Sequence, residues 1–481
     1  ALITNTTGSS NTAVGYNALD ANTTSDYNTA VGAEALGANT TGTRNCAFGY
    51  QALDANTTAS DNDAFGAYAL GAVVTGTRNS AFGRSALQEN TASDNVAFGH
   101  EALKLNTTGD KNTGIGPYAL DANTTGSQNV ALGYLALSSN TTGNSNVAIG
   151  DQALFTQTTG GSNNVAVGRY SQYYCATGTQ NTSLGSNTLT NNSSGNNNTA
   201  LGFEALNDST TGDDNTGVGA YALDTNTTGS YNTACGYHAL GDNTTTSQNT
   251  AVGYEALGSN TASYNTAVGR QALASSTTGT RLVAVGNRAL YTNTTGDYNT
   301  AVGDHSLNAN TTGNQNNAFG YYALVSNTTA SWNNAFGEQS LTSNTTGSDN
   351  TAFGHRTLQA NTTGSYNTAV GANALDAATT ASNNTAVGRN SATAITTGYN
   401  NTTMGMSSLS GLTTGFANAC FGYSAGGSIS TGANNICIGR NAGESGSPSG
   451  TISTGSDNIC LGDNNINNLY CADTSISSSD L

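Results

Sequence analysis

The side chains that could support acid–base, nucleophilic or metal chemistry are few and scattered along the chain. There are four histidines, His100, His238, His305 and His355. Zinc binding or general-base catalysis would need a second ligand or a carboxylate at fixed spacing from each, and no such partner recurs beside them. The carboxylates Asp26, Asp61, Asp110 and Glu338 stand singly, whereas glycosidic cleavage takes two acids roughly 5–9.5 Å apart across a groove. No phosphate loop or nucleophile motif is present. These residues predict a protein that is not an enzyme and that carries no cofactor and no metal.

Composition narrows the class further. The chain has 481 residues, with 60 Gly, 2 Pro and only 9% charged residues. Disordered chains are rich in Pro, Glu and Lys and poor in aromatics; here there are 22 Tyr, 11 Phe and only the lysines Lys104 and Lys111. Asn and Thr take the place of the charges, which suits stacked hydrogen-bonding ladders. The net charge of −17 arises from 29 acidic and 12 basic residues. It excludes nucleic acid as a partner, because phosphate binding needs clustered Lys and Arg. No apolar run is long enough to span a bilayer, so no membrane insertion is expected.

The elements that position these residues are repeats. Asn-Thr-Ala-Val-Gly opens at Asn11 and returns to Asn458 in 27 copies, almost always 17 residues apart. The spacing is 16 before Asn95 and Asn265, 18 before Asn164 and 23 before Asn458; one copy, at Leu282, lacks the leading Asn. Slot five is Gly in all 27 copies, as a corner with positive φ or close backbone approach requires. Slot three is small, slot four is always apolar, and slot nine is Leu in 22 copies. Helical repeats take longer units and better helix formers. The pattern predicts an all-β parallel β-solenoid, or β-roll, of about 27 coils of 17 residues. At about 4.8 Å per coil it would form a rod roughly 130 Å long.

Neighbouring strand residues face opposite sides, yet Ala13 in slot three and Val14 in slot four are both restricted in every coil. One must point into the coil and the other must also be dry, so a second copy of the chain is expected to cover it. Which of the two points inward is open. The variable slots six, seven and seventeen, with Tyr27, Arg44, Asp61 and Trp332 in the last, are expected at solvent edges.

The copies Asn129-Val130-Ala131-Leu132-Gly133 and Asn146-Val147-Ala148-Ile149-Gly150 resemble the head repeat of trimeric autotransporter adhesins. That resemblance implies a left-handed parallel β-roll assembled as a homotrimer. The longer unit here, with turns such as Asn39-Thr40-Thr41-Gly42, looks more like the repeats of phage-type tail fibres. Residues 1–466 would then be the shaft. Residues 467–481 resemble the junction to an intramolecular chaperone that is removed, with Ser479-Asp480 as the cleavage dipeptide. Ala1-Leu2 aligns with Ala18-Leu19, so the chain opens in mid-coil and is expected to be a piece of a longer fibre. The function expected is a structural shaft, extracellular on a virion or cell surface, that presents a tip to a host receptor or glycan. The alternatives are a cell-surface adhesin or polymeric filament that binds through the shaft itself, and an ice-binding solenoid.

The remaining features have structural readings. Cys420, Cys437 and Cys460 fall in slot three of the last three coils and are expected to stack as small apolar residues, as buried Cys does. Cys46 and Cys235 also sit in repeat slots, and Cys175 lies in an irregular coil. Asn22-Thr23-Thr24 and Asn106-Thr107-Thr108 match glycosylation acceptors, but turn and ladder roles explain them as well. The segment from Tyr170 to Cys175 is expected to bulge, and Gly443–Gly450 to form a surface loop. The apolar coils after Phe416, with Ile436 and Ile459 in slot two, are expected to be the tightest part of the oligomer.

Overall fold

The computed structural model describes residues 1–447, 450–463 and 465, which fall into two units, Ala1–Thr261 and a second beginning at Ala262. Each unit is a stack of parallel coils with one short strand per coil. The first carries the fifteen strands from β1 (Thr12–Val14) to β15 (Thr250–Val252), and the second the twelve from β16 (Thr266–Val268) to β27 (Ile459–Leu461). No helix occurs among the described residues. The expected all-β parallel solenoid with a 17-residue coil is the fold observed.

Each strand covers only slots two to four and, within each unit, pairs with its neighbour at zero offset: Thr12 faces Thr29 and Val14 faces Val31, and Thr300 faces Asn317. Pairing does not stop at the strand. The Leu19 amide donates to Ala35 O (3.1 Å), that of Thr107 to Thr124 O (2.9 Å), and that of Gln128 to Asp110 O (3.0 Å). The whole coil is therefore stacked on the next, turns included.

Closing so short a coil requires sharp reversals. All 27 slot-five glycines have positive φ, from 72° to 145°. At Gly66 a Cβ would also stand 2.4 Å from the carbonyl oxygen of Gly83 in the next coil. Slots seven, nine and seventeen are left-handed as well, with glycine only at Gly426 and Gly443 of slot nine: Asn17, Leu19 and Tyr27 have φ of 52°, 51° and 61°. A left-handed conformation costs roughly 1–2 kcal/mol per L-residue. At slot nine that cost is offset because the bend turns each leucine fully inward.

The interior is narrow. Slot three, the alanines of slot eight and the leucines of slot nine are buried, as Ala30, Ala35 and Leu36 illustrate. Slot three therefore points inward and slot four outward. Two columns of fully buried asparagines line the same interior. In slot one, Asn45 Nδ2 donates to Ala59 O (2.8 Å) while its Oδ1 accepts the Asn62 amide (3.1 Å). In slot twelve, Asn123 Nδ2 donates to Asn106 Oδ1 (2.7 Å) and to Gly126 O (2.9 Å). Ladders of stacked Asn were expected, and the slot-twelve residues Asn22 and Asn106 take the ladder role the sequence allowed them. At the gap in the first ladder, Leu282 keeps the register because its amide still donates to Asn265 Oδ1 (3.0 Å).

The bulge expected at Tyr170–Cys175 does not form in the backbone. Strands β9 (Val147–Ile149), β10 (Val165–Val167) and β11 (Thr182–Leu184) stay in register, and the Gln172 amide donates to Thr188 O at 2.8 Å. The extra residue lies in the turn at Gly160-Gly161, where Gly160 has φ 78°. Only side chains change: Gln172 replaces the core leucine and donates to Ser183 Oγ (2.9 Å), and Ser171 bonds Thr188 (2.9 Å). The turn after Gly443 is closed by the Ile452 amide on Gly443 O (3.0 Å); Pro448 and Ser449 lie outside the described residues.

Two stability measurements follow. Gly66→Ala is expected to cost about 3 kcal/mol through disallowed φ and clash, whereas Gly71→Ala in the same coil, which has no positive φ, should change stability by less than about 1 kcal/mol. Denaturant unfolding of the two variants separates them. The Asp121 carboxyl has one buried, unbonded oxygen. Burial pushes its pKa up to about 6, against the lowering effect of the Asp121 and Ala122 amides. A folded pKa above the unfolded value means that stability is lost as pH rises from about 4 through 6. Asp121→Asn should therefore stabilise the chain by about 1 kcal/mol at pH 8, after discounting for solvent, and not at pH 4.

Candidate functional site: the outer strand face

Strand alternation places slots two and four on one outward face. Slot two is Thr or Val in most coils and slot four is apolar in all 27, from Val14 to Leu461. None of these slot-four side chains is buried, and Phe98 and Phe353 are each 58% exposed. Because the coils stack without offset, the side chains form a continuous column within each unit. In the first unit the Phe48, Phe65 and Phe82 rings stack with centroids 4.9 and 4.6 Å apart and interplanar angles of 7° and 5°. In the second, Phe319 and Phe336 stack at 4.7 Å. Soluble monomers rarely leave apolar patches beyond a few hundred Å² open to water. The added apolar residues of the last coils, Ile436 and Ile459, also face outward here, 38% and 58% exposed. They enlarge this face and not the coil interior.

Several other outward columns carry polar groups that pair from coil to coil. Slot-thirteen hydroxyls donate to the carbonyl one coil on, as Thr107 does to Thr124 O (2.9 Å). Asp26 accepts the Ser9 amide (2.6 Å) and hydroxyl (2.9 Å), which hold its carboxyl below the usual range. Arg44 makes a two-pronged pair with Asp61 at 2.6 and 2.9 Å. Lys111 lies 3.3 Å from Asp110. Tyr27 and Trp332 of slot seventeen are exposed, as expected of that slot.

The four histidines are not brought together. His100 meets the edge of Tyr118 at 5.3 Å, His305 contacts Asp304 and stacks on Tyr322 at 5.2 Å, and His238 neighbours Tyr237. Among the described residues no group of three or more His, Cys, Asp or Glu is placed to hold a metal ion. Cys420, Cys437 and Cys460 stand in one column in register and are buried. The Cys437 thiol is pushed up by its hydrogen bond with Cys420 and by burial, and burial pushes Cys175 up to about 12. Such thiols stay protonated and inert. Cys46 is half-buried and Cys235 exposed.

Asn22 and Asn106, which begin acceptor triplets, are fully buried with their Nδ2 atoms in the ladder, donating to Asn5 Oδ1 (2.9 Å) and Asn90 Oδ1 (2.7 Å). Neither amide is open to glycosylation in the folded coil. Ser479 and Asp480 lie outside the described residues. Sequence reading missed one feature, a cleft of about 450 Å³ lined by Gln51, Asp54, Tyr68, Gly71, Gln88 and Glu89. The available signal was Gly71, which interrupts a slot holding Asp54 and Gln88 in the adjoining coils. Compared with protein-family models and with curated proteins, the chain matches none of them.

Proposed function

We propose that this chain is the structural shaft of an extracellular fibre, on a virion or cell surface, in which three copies of a left-handed coil pack through their outer strand faces. The observation that carries the reading is the apolar column of slot four, continuous within each unit and nowhere buried, beside outward columns whose polar groups pair from coil to coil. Covering a half-exposed Val, Leu, Ile or Phe contributes about 1 kcal/mol. Repeated over the coils of either unit, that exceeds the roughly 4–15 kcal/mol lost when free chains associate. The resemblance of the repeat to trimeric adhesin heads and tail-fibre shafts supports three as the number and left as the hand. The acidic balance and absence of basic clusters fit a role apart from nucleic acid. A shaft of this kind would position a tip for a host receptor or glycan, and no chemistry is asked of it.

Light scattering of the undenatured chain should give three times 48.3 kDa; a stable mass of 48.3 kDa would sink the shared-face reading. Replacing Phe48, Phe65, Phe82 and Phe98 together by lysine is expected to lower the stability of the assembly by several kcal/mol. Sedimentation would show dissociation on dilution while the β-type circular dichroism is kept. Lysines placed instead at Tyr27, Thr43 and Ser60 should leave the mass unchanged.

A further inference from the structure

Gly71 interrupts the outward slot-ten column between Asp54 and Gln88. Its backbone does not demand glycine: a Cβ there would meet Tyr68 O at 3.4 Å and Gln88 Cγ at 3.9 Å, ordinary contacts. The comparable gap at Gly37 is filled, because Asp54 Oδ1 would lie 3.1 Å from a Cβ at that position. Over Gly71 the space stays open as the cleft of about 450 Å³, within the range of roughly 300–1,000 Å³ typical of small-ligand sites.

Tyr68 forms one wall, and its ring is fixed edge-to-face against Tyr50 with centroids 5.3 Å apart. Gln51 Nε2 is committed to Glu34 Oε2 (2.7 Å), which orients its carbonyl. The carboxylates of Asp54 and Glu89, the Gln88 amide and the Tyr68 hydroxyl make no hydrogen bond within the chain, whereas neighbouring polar columns pair coil to coil. Gln88, Glu89 and the Tyr68 hydroxyl are thus left to bond solvent or a ligand beside an aromatic wall, with no Lys or Arg among the lining residues.

We propose that this cleft binds a carbohydrate of one or two rings, neutral or amino-substituted. The Tyr68 ring suits the apolar face of a sugar ring, as aromatic side chains pack against C–H surfaces. The carboxylates accept from paired hydroxyls, and the amides both donate and accept. A primary ammonium on the sugar gains charge-assisted bonds to Asp54 or Glu89 and lies over the electron-rich face of Tyr68. An acidic sugar is repelled by the same two carboxylates. The site is separate from the slot-four face and does not depend on the number of chains in the assembly.

Saturation-transfer NMR on the full chain, with lactose, glucosamine and glucuronate as probes, tests the assignment. Transfer is expected to lactose and glucosamine and not to glucuronate. Gly71→Gln, which puts into the gap the residue type of the next coil, should abolish it, and Tyr68→Ala should weaken binding at least tenfold. Thr342→Gln, the same slot in a distant coil, should leave it unchanged; native mass and circular dichroism report that each variant is folded. Absence of transfer to both lactose and glucosamine, persistence in Gly71→Gln, or an equal response from glucuronate would overturn the proposal. None of these results alters the native mass, so the shaft reading stands or falls separately.

Discussion

A coil of 17 residues with a three-residue strand cannot satisfy its own backbone. Only a few of its amides find a carbonyl within the same coil, as Asn39 finds Leu36 O (3.2 Å), and buried backbone groups left unpaired cost about 1–3 kcal/mol each. The partners of the others are the same groups one coil away. Every other feature of the fold follows from that requirement, because coil-to-coil bonding over the full circuit demands that each coil trace the same path as the last. Slot five must reverse the chain at the same place, and only glycine allows it beside the carbonyl of the next corner. Slot three must stay small because it faces a narrow interior.

The buried asparagines belong to the same logic. A primary amide carries donors and an acceptor like a peptide group, so a column of them extends the backbone ladder into the interior. Burying a lone amide is unfavourable, but here each is bonded to a neighbour of its own kind and to a turn carbonyl. Asn45 and Asn123 show the two arrangements. The ladder also explains where irregularity is tolerated. An extra residue at Gly160-Gly161 lies in a turn, and the strands on either side keep their register. Polar side chains enter the core at Ser171 and Gln172 only where Ser183 and Thr188 in the adjoining coil bond them.

With stability supplied coil by coil, the outward slots are free to differ, and they do so column by column. Three columns pair with themselves through hydroxyls, carboxylates and guanidinium groups. The slot-four column cannot, since its side chains have no polar atoms, and stacking of rings such as Phe48 on Phe65 leaves the outer side of the column in water. An interface between chains is the state in which that column is covered. The cleft at Gly71 is the opposite departure: polar groups without partners at a place where the repeat loses one side chain.

The period, a strand through slots three and four, the glycine corner, the stacked polar ladders and the parallel stacking were all legible in the sequence. Repetition makes each coil a record of what the same position tolerates, and slots that never vary expose their constraint. The sequence left open whether Ala13 or Val14 faces inward, because alternation gives two faces without saying which is enclosed. It did not show that Leu19 and its counterparts sit in a left-handed conformation, since propensity disfavours it and only the burial gained in the closed coil offsets the cost. It placed a bulge at Tyr170 where the stacked backbone holds the path and side chains alone change. The Gly71 cleft was invisible for a related reason: it is formed by residues of three successive coils, and their proximity exists only once the coils are stacked.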